Sequence, residues 1–285
     1  LESNRAVSLT ALFDGDHDAA SLSDLTVDGI AQAICRGGWP EAVRDPDDTE
    51  AIQYARNYVD ALVDSDLSRV DSVNRSSLRM RALLRAYARN VSTQAAGSTL
   101  RADMQEDEQT LSVNALRPYL DLLSRSFVIE DLPAWSPSLR SRTAIRTSPT
   151  RHFTDPSIAA AVLRLTPQRL LLDPETFGLL FESLCVRDLR IYSGALGGSV
   201  FHYRDQSGLE ADAVIALDDG RWALVEVKLG SAQIDEAAAN LRKLADRVDS
   251  RTLGEPSFLM VLTGTATAYQ RDDGVLVVPL GCLSP

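Results

Sequence analysis

Apolar residues recur along this chain with two different periods, and the change between them marks its organisation. Through residues 5–68 the spacing is helical but interrupted. LSDLTVDGIAQAIC stops at Gly37 and Gly38, Trp39 and Pro40 continue as a turn, and after an acidic loop at 45–50 the stretch AIQYARNYVDALVDSDLSRV sets Tyr54, Tyr58 and Leu62 on one helix face. Residues 76–150 predict three helices followed by a strand. These are SSLRMRALLRAYARNVS, STLRADMQ and SVNALRPYLDLLSRSF, the last with Ser112 or Asn114 as N-cap, and then FVIEDLPAW. Pro118 requires that the third helix either begin near it or kink. After residue 150 helices and strands alternate. RHFTDPSIAAAVL turns from strand to helix at Asp155 and Pro156, and DPETFGLLFESLCVRDLRIY buries Phe177, Leu180, Phe181, Leu184 and Leu189. A surface helix, DEAAANLRKLADRV, and two apolar strands, FLMVLTGT and GVLVVPL, complete the chain.

The expected fold is α+β. A helical segment (residues 1–75) precedes a winged-helix-like domain (76–150), read from three helices followed by a β-wing, and an α/β domain with a mixed central sheet (151–285). The last helix of a winged helix can enter a DNA major groove, and winged helices also serve as protein-packing modules.

Residues 201–229, FHYRDQSGLEADAVIALDDGRWALVEVKL, read as two strands joined by a tight turn at Asp218, Asp219 and Gly220. Glu210, Asp212, Glu226 and Lys228 interrupt it where a buried sheet should carry no charge. On a strand Glu226 and Lys228 share one face while Val225, Val227 and Leu229 point to the other, so the strand assembles either a site or a buried ion pair. Of 29 basic residues only Lys228 and Lys243 are lysine. Arginine serves a plain salt bridge as well or better, whereas a compact ammonium suits a role beside a small reacting group. An Asp on one strand followed after a short hairpin by Glu-x-Lys is the pattern of the restriction-endonuclease-like fold. There two carboxylates hold a divalent metal and the lysine orients or activates water.

Charge narrows the partners. The net charge of -11 argues against a general nucleic-acid binder, but residues 69–150 carry 12 basic against 8 acidic side chains. There Arg117, Arg125, Arg140 and Arg142 are the candidates for a nucleic-acid-binding face. No stretch has the length of an apolar transmembrane helix, no G-x-x-x-x-G-K phosphate loop occurs, and Cys35, Cys185 and Cys282 lack metal-ligand spacing, as expected of reduced thiols in a cytoplasmic protein. His17, His152 and His202 are isolated and expected to pack rather than ligate.

GGWPEAV (37–43), RPYLDLLSRSFVIEDLPAW (117–135), HFTDPSIAAAVL (152–163), GLLFESLCVRDL (178–189), FHYRDQSGLEADAVI (201–215) and ALVEVKLG (223–230) carry a wider likeness. Through them the chain resembles the C-terminal region of a prokaryotic family of AAA-type ATPases that bear a restriction-endonuclease-like domain of unknown function. The resemblance implies that an ATPase core precedes this segment in relatives, with SLTALFDGD at the junction, and that this polypeptide does not hydrolyse ATP. It adds Glu182, matching a helix glutamate that accompanies the D…E-x-K set, and matches Glu210 to a family carboxylate, either an outer metal contact or an edge residue.

The chemistry expected is hydrolysis of a phosphodiester with Mg2+. Asp212 and Glu226 are the metal ligands, Glu182 binds the metal directly or through water, and Lys228 positions the attacking water and stabilises developing charge. The alternatives are a non-catalytic module that recognises nucleic acid or protein on behalf of an ATPase, and an assembly domain. Register decides whether the site can exist. A three-residue loop at 218–220 sets Asp212 opposite Glu226, whereas an even loop without a bulge turns them to opposite faces.

Overall fold

The computed structural model describes residues 3–66, 76–106, 109, 111–136 and 148–285. Two compact units interleave along the chain. One comprises Leu1–Ile30, Leu132–Pro149 and Cys185–Pro285, the other Ala31–Asp131 and Thr150–Leu184. Reading along a chain delivers consecutive segments, whereas here each unit is assembled from several. The protein is α+β, with helices dominating the N-terminal part and a mixed sheet the C-terminal part.

Among the described residues the first unit holds nine strands: β1 Val7–Ser8, β2 Ser21–Leu22, β3 Gly198–Arg204, β4 Glu210–Leu217, β5 Trp222–Lys228, β6 Leu259–Thr263, β7 Thr267–Gln270, β8 Leu276–Pro279 and β9 Leu283–Ser284. Seven form one sheet in the order β2-β7-β8-β6-β5-β4-β3. Its centre is parallel (β5 with β6, β6 with β8), and both flanks are antiparallel. β1 and β9 pair parallel on their own. The helix Ile234–Ala245 links β5 to β6 as the crossover that parallel pairing requires. It buries Ala237, Ala238, Leu241 and Leu244 in a core with Val214, Trp222, Leu224, Val261 and Val277, to which Trp135 adds a ring 5.0 Å from Trp222.

The stretch 201–229 holds parts of three strands rather than two, because residues 205–208 form a turn of their own. The Asp205 carboxylate accepts from the backbone N–H of Ser207 and Leu209 and from the Ser207 hydroxyl, and Gly208 takes φ +86. An aspartate that satisfies its own following backbone in this way is an Asx turn.

The second unit is helical: Pro40–Arg44, Asp48–Ala61, Ser77–Arg89, Gly97–Glu106, Val113–Arg125, Pro156–Val162 and Pro167–Leu171, with most of Val27–Arg36 and the first half of Pro174–Gly194. Caps follow the sequence. Asp155 accepts from the Ser157 N–H, and Ser112, not Asn114, caps Val113–Arg125 by accepting from the Ala115 N–H, so Pro118 lies inside that helix. In Asp48–Ala61 the buried stripe is Ala51, Ile52, Ala55 and Val59; Tyr54 is exposed, and Tyr58 lies 4.8 Å from the Trp39 ring. Small alanines allow close helix approach, so the aromatic stripe expected from spacing is displaced to the rim.

After the three helices, Ile129 pairs antiparallel with Phe153, and Glu130 and Thr154 exchange backbone hydrogen bonds with His152 and Val128. Arg140 and Arg142 lie outside the described residues.

Candidate metal and charge centre on the central hairpin

β4 and β5 are joined by residues 218–220. The Leu217 N–H donates to the Arg221 carbonyl, the Gly220 N–H donates back to the Leu217 carbonyl, and Gly220 takes φ +93. Only glycine accepts that conformation without strain. The pairs Ala213 with Val225, Val214 with Leu224, Ile215 with Ala223 and Ala216 with Trp222 are those of the three-residue loop, which brings Asp212 level with Glu226.

A second irregularity refines this. On the other side of β4, Phe201 faces Val214 but Tyr203 faces Ala211, so His202 alone stands opposite both Asp212 and Ala213. This is a β-bulge, which bends a strand and re-aims a side chain. The described pairing of β4 with β5 begins at Ala213. One step beyond, the Asp212 Oδ2 accepts the Val227 N–H at 2.8 Å, the bond that the Ala211 carbonyl would take in an uninterrupted ladder.

Three of the four candidate site residues therefore meet. The Lys228 Nζ lies 2.9 Å from Glu226 Oε2 and 3.6 Å from Asp212 Oδ2. Glu226 is 3% exposed, on a strand buried from Trp222 to Val227. Burial pushes its carboxyl well above the ordinary glutamate range, and the negative charge of Asp212 adds to this, while Lys228 opposes it. The two carboxylates stand close enough for each to disfavour the other's charge, so Glu226 is the one whose protonated form is favoured. By alternation Glu226 and Lys228 share the face of Trp222 and Leu224, against which Ile234–Ala245 packs.

Glu182 lies half-buried on the helix Pro174–Gly194, in the segment belonging to the helical unit. Among the described residues no group of three or more His, Cys, Asp or Glu side chains is placed to hold a metal ion. Glu210 is an edge residue, paired with Arg204 at 3.0 Å across β3 and β4. Arg117 is exposed and 3.9 Å from Asp121, one turn on, and Arg125 is exposed at the end of the same helix.

His202 is buried with its Nε2 3.0 Å from the Ser148 carbonyl, and burial lowers its pKa, so it is held neutral in the core. His152 is buried beside the Ser183 hydroxyl. All three cysteines are free and buried, and burial pushes the Cys35 thiol up to about 12. What the reading of the sequence missed was the bulge at Asp212, which shows only in the pairing of β3 with β4.

The fold and the cluster define an α+β protein whose mixed sheet carries a buried carboxylate pair and a lysine. Comparison with known families adds that residues 27–169 match a family described as Domain of unknown function (DUF8612), and residues 177–283 match one described as Domain of unknown function (DUF4143). The first match spans half of the chain, which therefore belongs to the DUF8612 family; the second contains the hairpin and its charged cluster. No curated protein and no solved structure matches. Among the described residues no helix is long and apolar enough to cross a membrane.

Proposed function

We propose that Asp212, Glu226 and Lys228 form a divalent-cation-dependent centre for hydrolysing phosphodiesters of nucleic acid, on a restriction-endonuclease-like domain. The observation that carries this reading is the pairing of two carboxylates in one register, with an ammonium within 3.6 Å of both, on otherwise apolar stretches of β4 and β5. Burial first, and the charge of the half-buried Asp212 second, raise the Glu226 pKa beside a single lysine, and a divalent cation would favour the ionised pair. Magnesium suits such a set, because it prefers hard oxygen donors and is commonly held by one or two carboxylates. Bound there, it supplies charge neutralisation at a phosphate and a more acidic water.

The protein's own groups do the rest. Asp212 is fixed by the Val227 N–H, Glu226 by burial, and Lys228, which gives one donor to Glu226, would turn its ammonium toward the nucleophile or the charge developing on the phosphate. Glu182 is a further carboxylate in this reading. In the helical unit the helix Val113–Arg125, read as the last helix of a winged helix, offers exposed Arg117 and Arg125 to the nucleic-acid backbone.

The second reading is a non-catalytic accessory module of an AAA-type ATPase. The observation that favours it is that the cluster is internally satisfied, Asp212 by a backbone N–H and Lys228 by both carboxylates. One experiment separates the two. The chain is incubated with supercoiled DNA and with RNA in magnesium or manganese, beside Lys228→Arg, Asp212→Asn and Glu182→Gln. Metal-dependent nicking that Lys228→Arg abolishes without unfolding supports the hydrolytic centre. An active Lys228→Arg variant removes the role given to the ammonium, and a folded chain that neither takes up metal nor cleaves favours the accessory module.

A further inference from the structure

The helical unit contains a cavity of about 370 Å³, bordered by the helices Asp48–Ala61 and Ser77–Arg89 and the end of Pro156–Val162. Its volume falls in the range of small-ligand sites, roughly 300–1,000 Å³. Four guanidiniums line it, from Arg56, Arg81, Arg85 and Arg164, against one carboxylate, Asp60. That carboxylate is already engaged, since the Arg81 Nη1 holds Asp60 at 2.8 Å and its Nη2 holds Asp64 at 3.0 Å. The lining is left with a positive excess.

Two features of the arginines go beyond charge. Arg56 donates from Nη2 to the Leu165 carbonyl at 3.3 Å, but its Nε is buried with no hydrogen-bond partner. A buried guanidinium N–H left unsatisfied is costly, so the site calls for an acceptor that the protein does not supply. Arg164 sits just past the helix Pro156–Val162 at φ +54, with its N–H on the Ala161 carbonyl. This is where a helix normally uses glycine, and an arginine held there costs on the order of 1 kcal/mol. That strain keeps an exposed guanidinium at the edge of the cavity. The Asn57 side chain adds an amide to the same wall.

We infer that this cavity binds a phosphoryl group, carried by a ligand of diphosphate or nucleotide size. Guanidiniums match phosphate oxygens through paired charge-assisted N–H donors, and a phosphoryl oxygen supplies the acceptor that the Arg56 Nε lacks. The ligand is either a free nucleotide or the terminal phosphate of an oligonucleotide; the chemistry recognised is the same. The site is separate from the hairpin cluster and needs no metal.

The test uses the full chain in metal-free buffer, with inorganic pyrophosphate titrated calorimetrically, followed by an oligonucleotide with and without a 5′-phosphate. Saturable one-to-one pyrophosphate binding is expected, weakened about tenfold or more in Arg164→Gln and in Arg56→Gln. Because Arg56 is half-buried and its loss can perturb the fold, Arg164→Gly serves as the decisive variant. It relieves the positive φ, so its melting temperature should rise while its affinity for pyrophosphate falls. Preference for the 5′-phosphorylated oligonucleotide identifies a strand end as the ligand; indifference to it, with pyrophosphate still bound, identifies a free nucleotide. Absence of saturable pyrophosphate binding, or a folded Arg164→Gly variant that binds as tightly as the parent chain, overturns the inference.

Discussion

The sheet unit and the helical unit handle charge in opposite ways. In the sheet unit a buried Glu226 and a half-buried Asp212 share the ammonium of Lys228, on a strand whose other residues are buried. In the helical unit base gathers around a cavity, carried by the exposed Arg85 and Arg164 and the half-buried Arg56 and Arg81. A buried carboxylate pair is costly unless something neutralises it, and a guanidinium cluster is cheap while it remains solvated. The two clusters therefore place very different demands on their folds.

Removal of one cation from each region should expose that difference. Lys228→Met leaves two carboxylates facing each other in the sheet and should destabilise the protein by about 3 kcal/mol, measured by urea unfolding at neutral pH. A loss below about 1 kcal/mol would mean that the carboxylates are hydrated and that the burial argument fails.

The raised pKa of the buried Glu226 gives the next effect. Glu226 has a folded pKa raised above its unfolded value, so between those values the native state holds a proton that the unfolded chain releases. Over that window stability falls as pH rises, and below the ordinary glutamate range the effect vanishes because both states are protonated. Between about pH 5 and about pH 8 the melting temperature should therefore decline, and Glu226→Gln should flatten the decline. Identical pH slopes for the two proteins would show that Glu226 is ionised in the fold.

The smallest effect is expected in the helical unit. Arg81 is 40% exposed in its pairs with Asp60 and Asp64, and Arg81→Gln should cost less than about 1 kcal/mol. A cost matching that of Lys228→Met would erase the contrast between the regions.

Much of the candidate site was legible because local chemistry encodes it. Asp218, Asp219 and Gly220 select a three-residue hairpin loop, and the loop sets the register that pairs Asp212 with Glu226. The rarity of lysine singled out Lys228, which proved to be the ammonium between them. Other features were written but overlooked. The run Asp205 to Gly208 is a turn signal as clear as the later one, and short strand β7 follows a similar cluster at Thr263, Gly264 and Thr265. Tyr54 and Tyr58 drew attention as a helix stripe, yet Ala51 and Ala55 are the residues buried, since hydrophobic spacing does not reveal how near a neighbouring helix comes.

By itself, then, the sequence determined the α+β class, the cap at Asp155, the hairpin register and the identity of the charged residues on β4 and β5, and narrowed the cap of Val113–Arg125 to Ser112 or Asn114. These depend on the conformational preferences of a few neighbouring residues. Only the tertiary structure decided that His202 faces a bulge carrying Asp212, that the segments of two units interleave, and that Arg56, Arg81, Arg85 and Arg164 line one cavity. Those arginines are spread over more than a hundred positions and come together only because three helices pack. No local periodicity records a contact between residues so far apart, and the energy that fixes such contacts comes from burying apolar surface between elements rather than from any one of them.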